Sequence, residues 1–212
     1  GLVKKGNYGI YDMFRNRIMF PILNRDGQVV AFGGRCLDRK GPKYLNSAES
    51  RIFNKHTLLY GFQTAVEASR TEDTLLVCEG YMDLVALQAH RVHNAAAVLG
   101  TALTKEHAAL IRCYYRKVRL AFDNDSAGMQ AMARSIPVLE NAGIQVDNTS
   151  FHPAKDPDEF FQRYGKEALK IRTAKGLDPS VMAVRVSSEP EAEFVRQMVR
   201  YIQPKPCVEK AG

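Results

Sequence analysis

Three short acidic groups stand out by type and spacing. Glu79-Gly80 closes one apolar run, Thr74 to Cys78. Asp123-Asn124-Asp125, followed by Ser126-Ala127-Gly128, closes a second, Val118 to Phe122. Lys155-Asp156-Pro157-Asp158-Glu159 follows a third, Ile144 to Phe151, after a short loop. Carboxylates brought together repel, and burying them costs several kcal/mol unless positive charge joins them. These loops hold too few Lys or Arg residues to supply it. A divalent cation is the natural partner, and an oxygen-only set points to Mg²⁺ or Mn²⁺. Taken singly, each acid has a structural reading. Asp125 reads as the N-cap of a helix starting near Ser126, Asp158 as the cap of the next helix, and Glu79 as a solvated strand end. The coincidence of three such groups favours a metal site. Gly80 and Gly128 would let backbone approach a ligand, or would serve tight helix–strand packing.

The acids converge only if their carrier elements do. The second part of the chain alternates β-α-β-α-β-α-β. The strands are read at 74–78, 94–99, 118–122 and 144–151. The helices are read at 81–90, from Thr104 as N-cap to about 115, and at 126–142 before Gly143. That order predicts a largely parallel sheet covered by helices, with ligands beyond the C-terminal strand ends. The acids then fall on three neighbouring strand ends. The first part, about 8–62, is rich in strands and turns. Arg17 to Leu23 is a strand, Asn24-Arg25-Asp26-Gly27 a hairpin turn, and Gln28 to Phe32 the returning strand. Gly33-Gly34 is expected to end or bend that strand. Beyond Arg163 the pattern weakens to short helices at 166–174 and 191–202, with loops at 175–190 and 204–206. The fold class is α/β, or α+β overall: a parallel sheet flanked by helices after a smaller mixed subdomain. The expected units are 1–70, 71–165 and 166–212.

The 212 residues are 45% apolar and 25% charged, the balance of a soluble globular protein. No apolar run approaches the roughly 20 residues of a membrane helix, and no signal peptide is expected. The chain starts at Gly1, which suggests processing or a piece of something longer. Cys36, Cys78, Cys113 and Cys207 are widely spaced. They are expected to be reduced thiols in a cytoplasmic protein, with no zinc site and with Cys78 buried. The net charge of +7 sits in residues 1–60, which hold eleven basic and four acidic residues. A basic half joined to a neutral one suggests polyanion binding beside another task. Arg15, Arg17, Arg35, Lys43 and Lys55 are the candidate phosphate-holding cations. Lys43-Tyr44-Leu45-Asn46 adds a ring and an amide suited to unpaired bases, or forms a plain surface strand. Metal-holding acids beside such a surface suggest phosphate chemistry.

Glu79-Gly80-Tyr81-Met82-Asp83 with Asp123-Asn124-Asp125-Ser126-Ala127-Gly128 resembles the TOPRIM domain. The upstream segments resemble one branch, the catalytic core of bacterial DnaG-type primases. They are FRNRIMFPI from Phe14, FGGR from Phe32, PKYLNS from Pro42, FNK from Phe53 and LYG from Leu59. The likeness covers about residues 1–165. It implies template-directed synthesis of short RNA primers on single-stranded DNA from ribonucleoside triphosphates. It makes Glu79, Asp123 and Asp125 the central acids, with Glu79 also a candidate in acid–base catalysis. Asp83, Asp156 and Asp158 help hold Mg²⁺ or Mn²⁺. Arg35, Lys43, Asn46 and Lys55 match the ridge that holds template, primer or nucleotide. The family's preceding zinc-binding domain and its following helicase-binding domain are not in this sequence, so contact with the replicative helicase is not expected of it. A TOPRIM nuclease would use the same ligands with water as attacker. A catalytically incomplete single-strand-binding fragment would keep only the basic half.

Overall fold

The structure, a computed structural model, describes residues 2–38, 41–100, 102–123, 125–149, 151, 154 and 156–174. Cys207 and the helix and loops expected beyond 174 lie outside the described residues, as do Asn124 and Lys155.

Strands β1 (Val3–Gly6) and β2 (Gly9–Asp12) form an exposed antiparallel hairpin that the sequence reading did not separate out. Strands β3 (Arg17–Leu23), β4 (Val29–Cys36) and β5 (Tyr44–Asn46) form an antiparallel sheet in that order. The turn between β3 and β4 forms as read. Asn24 Oδ1 accepts from the backbone N–H groups of Asp26 and Gln28, and Gly27 takes a φ of 78°. The double glycine does not end β4, which continues to Cys36. Strand alternation puts Gly33 and Gly34 on opposite faces, and each face needs the missing side chain. A Cβ on Gly33 would stand 2.5 Å from Tyr81 Cζ, and one on Gly34 would stand 2.7 Å from Phe14 Cδ1.

Helix α1 (Phe62–Ala68), also unforeseen, leads into the second sheet. There β6 (Thr74–Cys78), β7 (Ala95–Ala97), β8 (Lys117–Ala121) and β9 (Gln145–Asn148) run parallel in the order β7-β6-β8-β9. Helices α2 (Tyr81–Ala89), α3 (Lys105–Arg112), α4 (Ser126–Asn141) and α5 (Pro157–Ala174) cover it. Alternate residues fill two cores. Leu75, Val77, Val118 and Leu120 pack with Ile111, Met132 and Leu139 on one face. Leu76, Cys78 and Ala121 pack with Leu84, Leu87 and Phe160 on the other. Cys78 is fully buried, as read. Arg119 is buried on this second face. It forms a two-pronged salt bridge to Asp147 on β9 (2.7 Å for each prong) and donates to the Thr173 carbonyl of α5. Within α5, Gly165 (φ 78°) separates two helical stretches; the second, 166–174, is the short helix expected there, and the first, which begins at Pro157, was not foreseen. Among the described residues, no helix is long and apolar enough to cross a membrane.

A third core joins the sheets. Phe20, Ile22 and Ala31, from one face of β3 and β4, pack with Phe53, Leu99 and Tyr81. Tyr60 adds an antiparallel bridge to Ala97 on the open edge of β7. Tyr81 is the main side chain that α2 contributes to this seam, so the seam tests the packing. Gly33→Ala should lower stability by about 1–3 kcal/mol in urea denaturation, the cost of overpacking a filled site. Unchanged stability would show that the Tyr81 ring can move aside.

Candidate metal centre and nucleic-acid interface

The first, third and fourth strands of the parallel sheet are adjacent, so their C-terminal ends share one edge. Cys78 pairs with Ala121 in register, which sets Glu79 beside the Asp123 turn. Glu79 Oε1 accepts from the Asp123 backbone N–H at 3.2 Å. Gly128 makes this approach possible, because a Cβ there would overlap the Asp123 carbonyl oxygen and stand 2.7 Å from Glu79 Oε1. Both readings of Gly128, tight packing and close approach, describe the same contact. Gly80 is different: its backbone is extended, and a Cβ would meet only Asp83 Oδ2, at 3.2 Å.

Three helices start at this edge, each with an acid at its N-terminus. Asp83 Oδ2 accepts from the Gly80 N–H at 3.0 Å in the first turn of α2. Asp125 caps α4, its Oδ1 accepting from Gly128 N–H at 2.9 Å. Asp156 caps α5 through Glu159 N–H at 2.9 Å, with Pro157 as the first helical residue. The expected cap, Asp158, instead stands within the first turn of α5. Capping uses one oxygen of each carboxylate. Among the described residues, no Lys or Arg pairs with Glu79, Asp83, Asp125 or Asp156. Helix N-termini offset part of the negative charge, but only through partial dipoles.

Burial first, and the neighbouring negative charges second, disfavour the ionised forms of two of these acids. Burial raises Glu79 above the usual carboxylate range, and the Asp123 and Asp125 charges raise it further. Burial, then Asp123 and Asp156, push Asp83 up to about 7. Glu79, Asp83, Asp123, Asp125 and Asp156 therefore share one field, and among the described residues no Lys or Arg contacts Glu79, Asp83, Asp125 or Asp156. Among the described residues, no three of the metal-ligating side chains already surround a single ion-sized point. The donor set is all oxygen, and each of the four capping or tied acids keeps a second oxygen. Those residues fit a divalent cation.

The basic sheet faces this edge. Strand alternation puts Arg35, Tyr44 and Asn46 on the same face as Gly33. Burial raises the Tyr44 phenol, the Arg35 charge opposes that rise, and Asp83 and Asp156 add to it. Tyr44 thus stands between the cations and the acids, with the Lys43 ammonium 5.7 Å over its ring. Arg17 is on the opposite face, where its guanidinium donates to the carbonyls of Gly34 and Pro42. The Arg15 guanidinium lies 5.4 Å over the Tyr11 ring. Lys55 belongs to a tight turn in which Asn54 Oδ1 accepts from His56 N–H. Thr104 Oγ1, at the N-cap of α3, donates to the His56 carbonyl, and buried His107 reaches the Leu58 carbonyl through Nε2. The structure brings Arg35, Tyr44 and Asn46 together opposite the acids and does not bring Arg17 there. Tyr81 was not singled out by its sequence. Its signal was an aromatic residue directly after Glu79-Gly80, at the first position of a helix.

Residues 1–66 match the family described as the DNA primase catalytic core, N-terminal domain, and residues 76–161 match the Toprim-like family. The chain is similar to the E. coli primase catalytic core, with a TM-score of 0.76, 31% identity, and coverage of 95% of this chain and 74% of that one. The chain belongs to the DnaG-type primase catalytic-core family. A solved DnaG primase catalytic domain bound to single-stranded DNA aligns with a TM-score of 0.75 at 31% identity, covering 95% of this chain and 73% of that one. The DNA primase of Clostridium acetobutylicum is 45% identical over 169 residues, which is 80% of this chain and 28% of that protein. The chain thus spans less than a third of that relative's length. The Toprim-like match carries with it a divalent-metal site.

Two measurements test this geometry. Gly128→Ala should lower stability by about 1–3 kcal/mol and displace Asp123 from Glu79. Equal stability by urea denaturation would contradict the close approach. Asp83 has a folded pKa above its unfolded value, so its protonated form is favoured in the native state. Its contribution is most favourable below the unfolded value of 3.8 and is lost as pH rises toward about 7. The metal-free chain with Asp83→Asn should therefore melt several degrees higher than the parent at pH 8. Most of that gain should vanish near pH 4. A gain that is equal at both pH values would contradict the shared field.

Proposed function

We propose that this chain is the nucleotidyl-transfer core of a primase that makes short RNA primers on single-stranded DNA during replication. The observation that carries this reading is the pairing of two walls: a carboxylate edge at the strand ends and a basic, aromatic sheet face opposite it. In this reading residues 1–70 form the basic subdomain, 71–165 the metal-binding domain, and 166–212 a divergent C-terminal segment. The partners are a single-stranded DNA template, an RNA primer and ribonucleoside triphosphates. The likeness to a DnaG domain solved on single-stranded DNA supports the first of these. The site of action is the bacterial cytoplasm.

Glu79, Asp83, Asp123, Asp125, Asp156 and Asp158 would hold Mg²⁺ or Mn²⁺. When bound, the ions supply charge that activates the attacking primer hydroxyl and stabilises the departing pyrophosphate. The primer 3′-oxygen bonds to the α-phosphorus as the bond to pyrophosphate breaks. Glu79, held by one oxygen to Asp123 N–H and raised in pKa, keeps Oε2 to receive the hydroxyl proton. Arg35, Lys43 and Lys55 neutralise phosphates, with Arg15 and Arg17 contributing to the wider basic field. Tyr44 offers a ring face for a base and Asn46 an amide.

The test is extension of an annealed RNA primer on a DNA template, with labelled ribonucleotides and Mn²⁺ or Mg²⁺. The parent chain should incorporate label, and Asp123→Asn should reduce incorporation by about 100-fold or more. Cleavage of the template without added nucleotides would point to the nuclease reading. Incorporation that survives Asp123→Asn would overturn the assignment of the acids.

A further inference from the structure

Tyr81 sits between the two walls. It is the first residue of α2, two positions after Glu79 and two before Asp83. Its ring is 5% exposed, stacked on Phe20 at 5.1 Å and packed edge-on against Tyr60 at 4.7 Å. Gly33 leaves the gap through which the ring passes, since a Cβ there would stand 2.6 Å from the hydroxyl. The cross-strand partner of Gly33 is Asn46. The Tyr81 hydroxyl thus crosses Gly33 and donates to Asn46 Oδ1 at 2.8 Å.

Asn46 can present either end of its amide, and the choice decides what it recognises. Its other contact is the Leu99 carbonyl, 3.4 Å from Nδ2. A carbonyl only accepts, so the NH₂ group faces Leu99 and the oxygen faces Tyr81. The contact to Leu99 is long and weak alone. A phenol also accepts, so a flipped amide would still meet it, but the buried hydroxyl proton would then lose its acceptor; that loss, added to the Leu99 contact, disfavours the flip. An ordinary phenol is protonated at neutral pH, so it is available as a donor. Among the described residues, one Nδ2 proton is then left over on a half-buried residue, on the face that also carries Arg35 and Tyr44.

We propose that Tyr81 is a positioning residue whose hydroxyl fixes the Asn46 amide so that its spare N–H faces an acceptor oxygen of the incoming ribonucleoside triphosphate. This rests on the reading of the site as a nucleotidyl-transfer core. It adds a route by which the nucleotide wall is set in register with the acids. The residue that orients the donor lies on the same helical turn as Asp83 and directly after the Glu79 strand end. A flipped amide would turn its oxygen toward an anionic ligand and repel it.

The test is a double-mutant cycle in the full chain, read by equilibrium binding of ATP with Mg²⁺ and by primer extension. Tyr81→Phe keeps the ring and removes only the hydroxyl. It should weaken ATP binding and raise the nucleotide KM by about 5- to 20-fold, with kcat within about twofold of the parent. Asn46→Ala should lose at least as much, and the double variant should be no worse than Asn46→Ala alone. Losses that multiply in the double variant would show that the hydroxyl acts independently of Asn46 and would overturn the proposal. So would a Tyr81→Phe chain that binds ATP like the parent, or a parent that binds no ATP. A parent that binds ATP and incorporates nothing bears on the polymerase reading alone, because the binding cycle still decides the role of Tyr81. The Asn46 side-chain amide in a ¹⁵N spectrum gives a nucleotide-free check. Its two proton signals should be well separated in the parent and should converge in Tyr81→Phe.

Discussion

Repulsion among five carboxylates at one sheet edge is the constraint around which this molecule is arranged. A parallel sheet puts every helix start at the C-terminal ends of its strands. The chain uses that geometry three times, giving α2, α4 and α5 each an acid at or before the first turn. Backbone N–H groups hold one oxygen of each of these acids, and Asp123 N–H holds one of Glu79. These bonds fix the carboxylates in place without neutralising them. Burial raises Glu79 and Asp83 most, and the neighbouring carboxylates add to the rise. A more stable metal-free protein would replace one of these acids with an amide; keeping them is the expected signature of a site that spends stability on function.

The acids need an opposite wall at a fixed separation. Tyr81 supplies part of that fixation by passing its ring through the Gly33 gap into the seam between the sheets. Arg119 and Asp147 stiffen the other side, where the guanidinium also reaches a carbonyl near the end of α5. That contact anchors the part of α5 beyond the Gly165 break to the sheet. The Thr104 and His107 contacts do the same for the turn that carries Lys55.

The sheet edge was legible in the sequence because acids after successive β-strands have only one place to go in a parallel sheet. The choice between cap and ligand for Asp125 was not legible, and the structure removes the conflict: capping uses one oxygen and leaves the other. The capping role expected of Asp158 belongs to Asp156, since Pro157 is best placed as the first helical residue and moves the cap one step earlier. Gly33-Gly34 read as a strand end because glycine is a poor strand former. Their actual role is to admit Tyr81 and Phe14 on opposite faces, a long-range fact that no local pattern carries. The direction of Arg17 was likewise hidden in the composition of a basic segment. Its strand parity, set by the burial of Phe20 and Ile22, turns it away from the acid edge.

A calorimetric titration of Mn²⁺ into the chain at pH 8, with Asp123→Asn alongside, decides whether the carboxylate edge is a cation site. The parent should bind Mn²⁺ saturably, with a rise in melting temperature, and the variant, which has lost a charged ligand, should bind about tenfold or more weakly. A parent that shows no saturable binding, or a variant that binds as tightly as the parent, would mean that the carboxylate edge is not a cation site.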